Sequence, residues 1–263
     1  MLLRSLGSGV SGLKNFQTDL DVIGNNISNV GTTGFKKGRI NFEDTINQQL
    51  QGSTTNVNAV QIGLGSQTSS IDNITTGGVP ESTGNPYDVA INGEGYFRVM
   101  NGTNPYYTRA GDFKLDTAGT GLVNSQGMAL DIGGTTTPGA SFNTVSSFTI
   151  DQAGNITGVD KTTGNSVQLG SINLFTFSNP NGLEKIGNSL YQVTQGSGNA
   201  QQMTAATGLG TQTQLQQNAL EGSNVDLTDE MTNLITAERA YQANSKTITT
   251  ADQILQTLVN LKQ

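Results

Sequence analysis

Leu234-Ile235-Thr236-Ala237-Glu238-Arg239-Ala240-Tyr241-Gln242-Ala243-Asn244-Ser245-Lys246-Thr247-Ile248 is the stretch that decides the fold. Through it and just beyond, Leu234, Ala237, Tyr241, Asn244, Ile248, Ala251, Leu255 and Leu258 alternate at spacings of three and four, and only Asn244 is polar. An α-helix turns once in 3.6 residues, so this spacing lays a narrow apolar seam along one face, of the kind that pairs with a second helix. Asp226, Asp229 and Glu230 stand where that helix should begin. An Asp there accepts orphan N–H bonds and the carboxylates oppose the positive end of the helix dipole, while Lys262 suits the other end.

A second seam lies at the N-terminus. Leu13, Phe16, Leu20, Ile23, Ile27 and Val30 repeat at three and four, and Leu6 and Val10 extend the series with one break in register. Gly31 and Gly34 supply its breakers. Between the seams the period changes to two, in Tyr87-Asp88-Val89-Ala90-Ile91, Gly95-Tyr96-Phe97-Arg98-Val99, Asp112-Phe113-Lys114-Leu115 and Ile172-Asn173-Leu174-Phe175-Thr176-Phe177. Asn92-Gly93-Glu94-Gly95 reads as a hairpin turn, and Asp116 to Gly121, Asp151 to Gly154 and Asn179 to Gly182 as further turns. The expected fold is α+β: terminal helices over 1–30 and 222–263 forming a coiled-coil-like polymerisation domain, a connector over 31–71 in which Phe35 to Phe42 could be a strand, and an all-β domain over 72–221.

Composition narrows the chemistry. The 263 residues contain no His, Cys or Trp, which removes Ser-His and Cys-His nucleophiles, the usual zinc ligands and any disulfide. A net charge of -7, with 13 scattered Lys and Arg, opposes a nucleic-acid partner. The start has no continuous apolar segment of the secretory kind, and no run approaches a membrane span, so neither a cleaved signal peptide nor membrane insertion is expected.

Individual motifs read blandly. Gly7-Ser8-Gly9-Val10-Ser11-Gly12 has the spacing of a dinucleotide fingerprint but no preceding strand to aim it, so it reads as a place of close helix or subunit approach. Gly63-Leu64-Gly65-Ser66 lacks the Lys of a phosphate loop and reads as a turn. Asp112 and Asp116 are the nearest thing to a catalytic carboxylate pair, without an aromatic platform for a sugar. No catalytic residue, cofactor, metal or small-molecule substrate is expected. Phe35, Lys36, Lys37 and Arg39 in the connector carry the one basic cluster, either a solvated face or a site that meets acidic residues of another subunit.

Neither seam has a partner in the β pattern, so each must be covered by the other end, by neighbouring subunits, or by both. Self-assembly is the economical reading, with ends that order on assembly and an interface of Leu6, Val10, Leu13, Leu20, Ile23, Ile27, Val30, Leu234, Ala237, Tyr241, Ile248, Leu255 and Leu258. Pairing of the two helices within one chain is the alternative.

Leu20-Asp21-Val22-Ile23-Gly24-Asn25-Asn26-Ile27-Ser28-Asn29 followed by Thr33-Gly34-Phe35-Lys36 closely resembles the N-terminal signature of the flagellar rod and hook family. Ser223-Asn224-Val225-Asp226-Leu227 and Glu238-Arg239-Ala240-Tyr241-Gln242-Ala243-Asn244 resemble its C-terminal motif, and Tyr107-Thr108-Arg109-Ala110-Gly111-Asp112-Phe113 its middle. The resemblance implies a self-assembling axial subunit, exported by the flagellar type III route, with terminal helices lining a channel and a β domain outside. Its implied partners are copies of itself, other rod, junction and cap proteins, and the export apparatus. Gln61 to Gly65, Leu122 to Leu130 and the Thr257 to Leu261 ending resemble the hook most, which implies a short hook subunit. A distal-rod subunit is the second reading, and a secreted carbohydrate-active protein the remote third.

Overall fold

The computed structural model describes residues 2–52, 59–134, 137, 140–204 and 207–261, with the backbone alone at 2–5 and 258. The architecture is α+β: a helix at each end and a mostly β middle. Two compact units divide the chain, one of Met1–Ser28, Gly38–Ile74 and Asp226–Gln263, the other of Asn29–Lys37 and Thr75–Val225.

In the first unit, helix α1 spans Leu2–Ser28 and helix α2 spans Leu227–Asn260. Asp226 caps α2 as its sequence implies, its carboxylate accepting from the N–H groups of Thr228 and Asp229. The expected connector differs. Residues 38–73 form strands β1 (Gly38–Asp44), β2 (Gln48–Gln51), β3 (Val60–Ile62) and β4 (Ser66–Asn73), with β1 antiparallel to β4 and β2 to β3. This hairpin packs on α1. Phe16 meets Phe42 at 6.1 Å between rings, and Asn15 donates to Ser66 Oγ at 2.8 Å. Asn26 exchanges two bonds with Gly38, from Nδ2 to its O and from its N to Oδ1, both 2.9 Å. Asn15 and Asn26 lie on a buried face of α1, and β4 and β1 supply the hydrogen-bond partners that this burial demands.

The second unit opens with Asn29–Lys37 and continues through β5 (Pro80–Ser82), β6 (Val89–Asn92), β7 (Tyr96–Asn101) and β8 (Asn104–Thr108). Strand β7 explains how its nine-stranded sheet is covered on both faces. Side chains alternate across a strand, so Phe97 and Val99 join one core with Ile91, Phe113, Ile156 and Leu174, while Tyr96 joins Tyr107, Phe175, Phe177, Leu183 and Tyr191 on the other. Arg98 also points to the aromatic side, 4.2 Å from the centre of the Phe175 ring and 2.6 Å from Asp131. A separate four-stranded sheet, built on Val145–Ile150, Asn155–Asp160 and Ser166–Ile172, adds Ile150, Ile156, Leu169 and Ile172 to the first core.

The expected turns at Asp116, Asp151 and Asn179 are present, closed by N–H bonds from Gly119, Gly154 and Gly182 to those residues' carbonyls. The expected hairpin at Asn92 to Gly95 is a correction. Strand β6 pairs with Gln214–Gln217 and β7 with β8, so the two flanking strands go to different partners. Gly93 and Gly95 at φ +125° and +126° swing the chain between sheets, and Thr213 Oγ1 clamps the corner by accepting from Glu94 N and donating to Glu94 O.

Candidate assembly surface

The two seams meet within the chain. Ile23, Ala237 and Ala251 are buried, and Leu6, Leu13, Leu20, Ile27, Leu234, Ile248 and Leu255 are half-buried. Within the Gly7 to Gly12 stretch, Gly9 and Gly12 face α2 closely. A Cβ at Gly9 would stand 3.2 Å from Ile248 Cγ1, and one at Gly12 would stand 2.9 Å from Asn244 Nδ2. Asn244, the one polar residue of the seam, therefore faces a glycine. A side chain at Gly65, in the expected turn, would run into Ser11.

Pairing also buries charge. Asn26 Nδ2 donates to Glu230 Oε2 at 3.1 Å, and both residues are almost fully enclosed. Burial, reinforced by the nearby Glu230, raises the Asp19 carboxyl above its usual range.

Other expected interface residues lie elsewhere. Val10 and Tyr241 are exposed rather than enclosed in the seam. Val30 falls after α1, in the second unit, and is exposed there. The side chain of Leu258 and the whole of Lys262 lie outside the described residues. The sequence reading missed a further stripe on α2: Leu227, Met231 and Ile235 recur every fourth residue and stay 39%, 50% and 49% exposed. Their spacing was the available signal. The hairpin adds exposed Phe42, Ile46, Leu50, Val60 and Ile71. The first unit therefore keeps large apolar side chains exposed both on α2 and on the hairpin.

The basic cluster does not act as one face: Arg39 keeps the solvated strand position, whereas Lys36 pairs with an acidic residue of its own chain. Lys36 is 1% exposed and lies within its own unit, its Nζ 2.5 Å from Glu221 Oε1 and 2.8 Å from Thr76 O. Burial lowers the pKa of its ammonium group; Glu221 opposes the shift and Arg109 adds to it. Arg109 Nη1 lies 3.3 Å from Glu221 Oε2 and donates to Gly93 O, with the guanidinium over the Tyr96 ring. Phe35 lies under Lys185, whose Nζ donates to Lys36 O at 2.8 Å. The backbone N–H of Lys37 donates to Asn224 Oδ1. Arg39 is exposed on β1, opposite Asp72.

Asp112 bridges to Asp88 through the backbone and is raised chiefly by burial, whereas Asp116 closes a turn. Among the described residues no group of acidic side chains is placed to hold a metal ion, and no helix is long and apolar enough to cross a membrane.

Three family profiles match the chain: "Flagella basal body rod protein" over 6–36, "Flagellar hook protein FlgE/F/G D1 domain" over 90–158 and "Flagellar basal body rod FlgEFG protein C-terminal" over 216–261. The flagellar basal-body rod protein FlgG of Bacillus subtilis is 47% identical over the whole of both chains, and that of Borreliella burgdorferi 37% identical over the whole of both. The flagellar hook protein FlgE of Treponema pallidum is 50% identical over 129 residues, 47% of this chain and 28% of the hook protein. The outer profiles fall on the helical unit and its flanks, the middle one on the β unit, and the chain belongs to the flagellar rod and hook family of axial structural proteins.

Proposed function

We propose that the chain is a subunit of the flagellar basal-body rod, in its distal part, that polymerises through its helical unit into a hollow helical tube. The rod is preferred to the hook, the first reading from sequence, on one observation. From end to end the chain is 47% and 37% identical to two rod proteins, whereas a hook protein aligned from end to end is 27% identical over 444 residues, and the 50% identity to another is confined to 28% of its length. Of the hook-like motifs, Leu122 to Leu130 and Thr257 to Leu261 fall within profiles that rod and hook proteins share.

Assembly follows from the exposed α2 stripe. Leu227, Met231 and Ile235 on one copy meet a different patch on the next, and a contact between unlike surfaces that does not close generates an open helix. Such a tube passes torque along the flagellar axis, meets other axial proteins at its two ends, and is delivered by the flagellar export route. Its role is mechanical, with no catalytic step. Electron microscopy of basal bodies from a strain lacking the protein tests this: a truncated rod is expected, and a complete rod without a hook would return the hook reading.

A further inference from the structure

Glu221 holds three partners drawn from distant parts of the chain. Its side chain is fully enclosed, and it binds Lys36, Gly78 N and Arg109 across sequence separations of 185, 143 and 112 residues. Its backbone carbonyl accepts from Gly34 N at 2.8 Å, so the same residue holds the Asn29–Lys37 segment in place twice. The arrangement is unequal, with one carboxylate serving two cations. Remove it and Lys36 and Arg109 are left as two buried like charges, with only the carbonyls of Thr76 and Gly93 and the Tyr96 ring to offset their desolvation.

We propose that Glu221 is a closure latch: residues 29–37 dock on the β unit only after Glu221 arrives, and the Lys36–Glu221–Arg109 cluster is the last part of this unit to form. Closing the longest loops costs the most chain entropy, so contacts across 185 residues form after the local strand pairs. Synthesis and any N-terminus-first delivery present Lys36 and Arg109 long before Glu221. Until then the two cations keep each other out. A chain that stops short of Glu221 is thereby held open at its N-terminal segment and kept from the assembly pool. This latch is independent of whether the subunit serves rod or hook.

The test uses the full-length protein and the variants Glu221→Gln and Glu221→Asp, followed by hydrogen exchange and by tyrosine fluorescence in stopped flow. In the Gln variant the amides of Gly34 and Gly78 are expected to lose protection about tenfold or more while those of Phe97 and Ile156 keep theirs. Unfolding should accelerate by about tenfold with refolding changed by less than about twofold, the signature of contacts absent from the transition state. Should the Gln variant fail to fold, the same partition is read in the Asp variant, which keeps the charge at shorter reach. Refolding that slows as much as unfolding accelerates would place the cluster early and overturn the proposal, as would unchanged protection at Gly34 and Gly78.

Discussion

Replacing Leu227, Met231 and Ile235 together by Ala should block assembly without unfolding the subunit. The three side chains are 39%, 50% and 49% exposed in the single chain, so about half of each remains to be covered by a neighbour. Full burial of such a side chain is worth about 1.5–3 kcal/mol, and the uncovered halves of three hold about 2–4 kcal/mol. At 1.4 kcal/mol per tenfold, removing that contact raises the critical concentration for polymerisation by about 30-fold or more. Helix α2 itself should survive, because Ala is the best helix former. Sedimentation of polymer against subunit concentration measures the first quantity, and the thermal midpoint by circular dichroism the second. A critical concentration within about threefold of the parent, with the midpoint unchanged, would remove the stripe from the assembly contact.

Three further outcomes follow from the geometry. Gly34→Ala places a Cβ 2.6 Å from the backbone of Arg109 and Ala110 at φ +66°, and should cost the β unit about 2–5 kcal/mol in denaturant melts. Ile248→Asp puts a carboxylate against Gly9 in the helix seam; it should abolish polymerisation while near-ultraviolet circular dichroism of the tyrosine-rich β unit stays native. Asp19→Asn concerns pH. The folded state holds the Asp19 proton more tightly than the unfolded chain, so the stability that goes with this proton is fully present below pH 3.8 and is lost as pH rises through the higher folded value. The Asn variant should therefore melt higher than the parent at pH 7, with the difference vanishing below pH 3.8; an equal gain at both would place the effect outside this carboxyl.

Periodicity and turn chemistry are local, and what depends on them was legible in the residues. The helical span of α2 with Asp226 as its cap, the turns at Asp116, Asp151 and Asn179, and the α+β order of elements follow from spacing and side-chain type within a few residues. The close approach at Gly9 and Gly12 was legible for the same reason, since only small residues let two backbones draw together. Three matters waited for the tertiary structure. Lys36 looked like a surface cation because its countercharge lies 185 residues away, and no local pattern announces a buried pair of that separation. The β6 and β7 strands flank a turn that resembles a hairpin, yet each finds a better-matched neighbour elsewhere, and Thr213 closes the corner from 119 residues on. Strands β2 to β4 were polar enough to pass for linker, whereas Phe35 to Phe42 read as a possible strand; that β4 and β1 supply the partners of the buried Asn15 and Asn26 is visible only in the folded chain. Amphipathic spacing is a property of one segment, whereas the partner that covers a buried polar group is a property of the whole packed chain, and that is where the sequence by itself stopped.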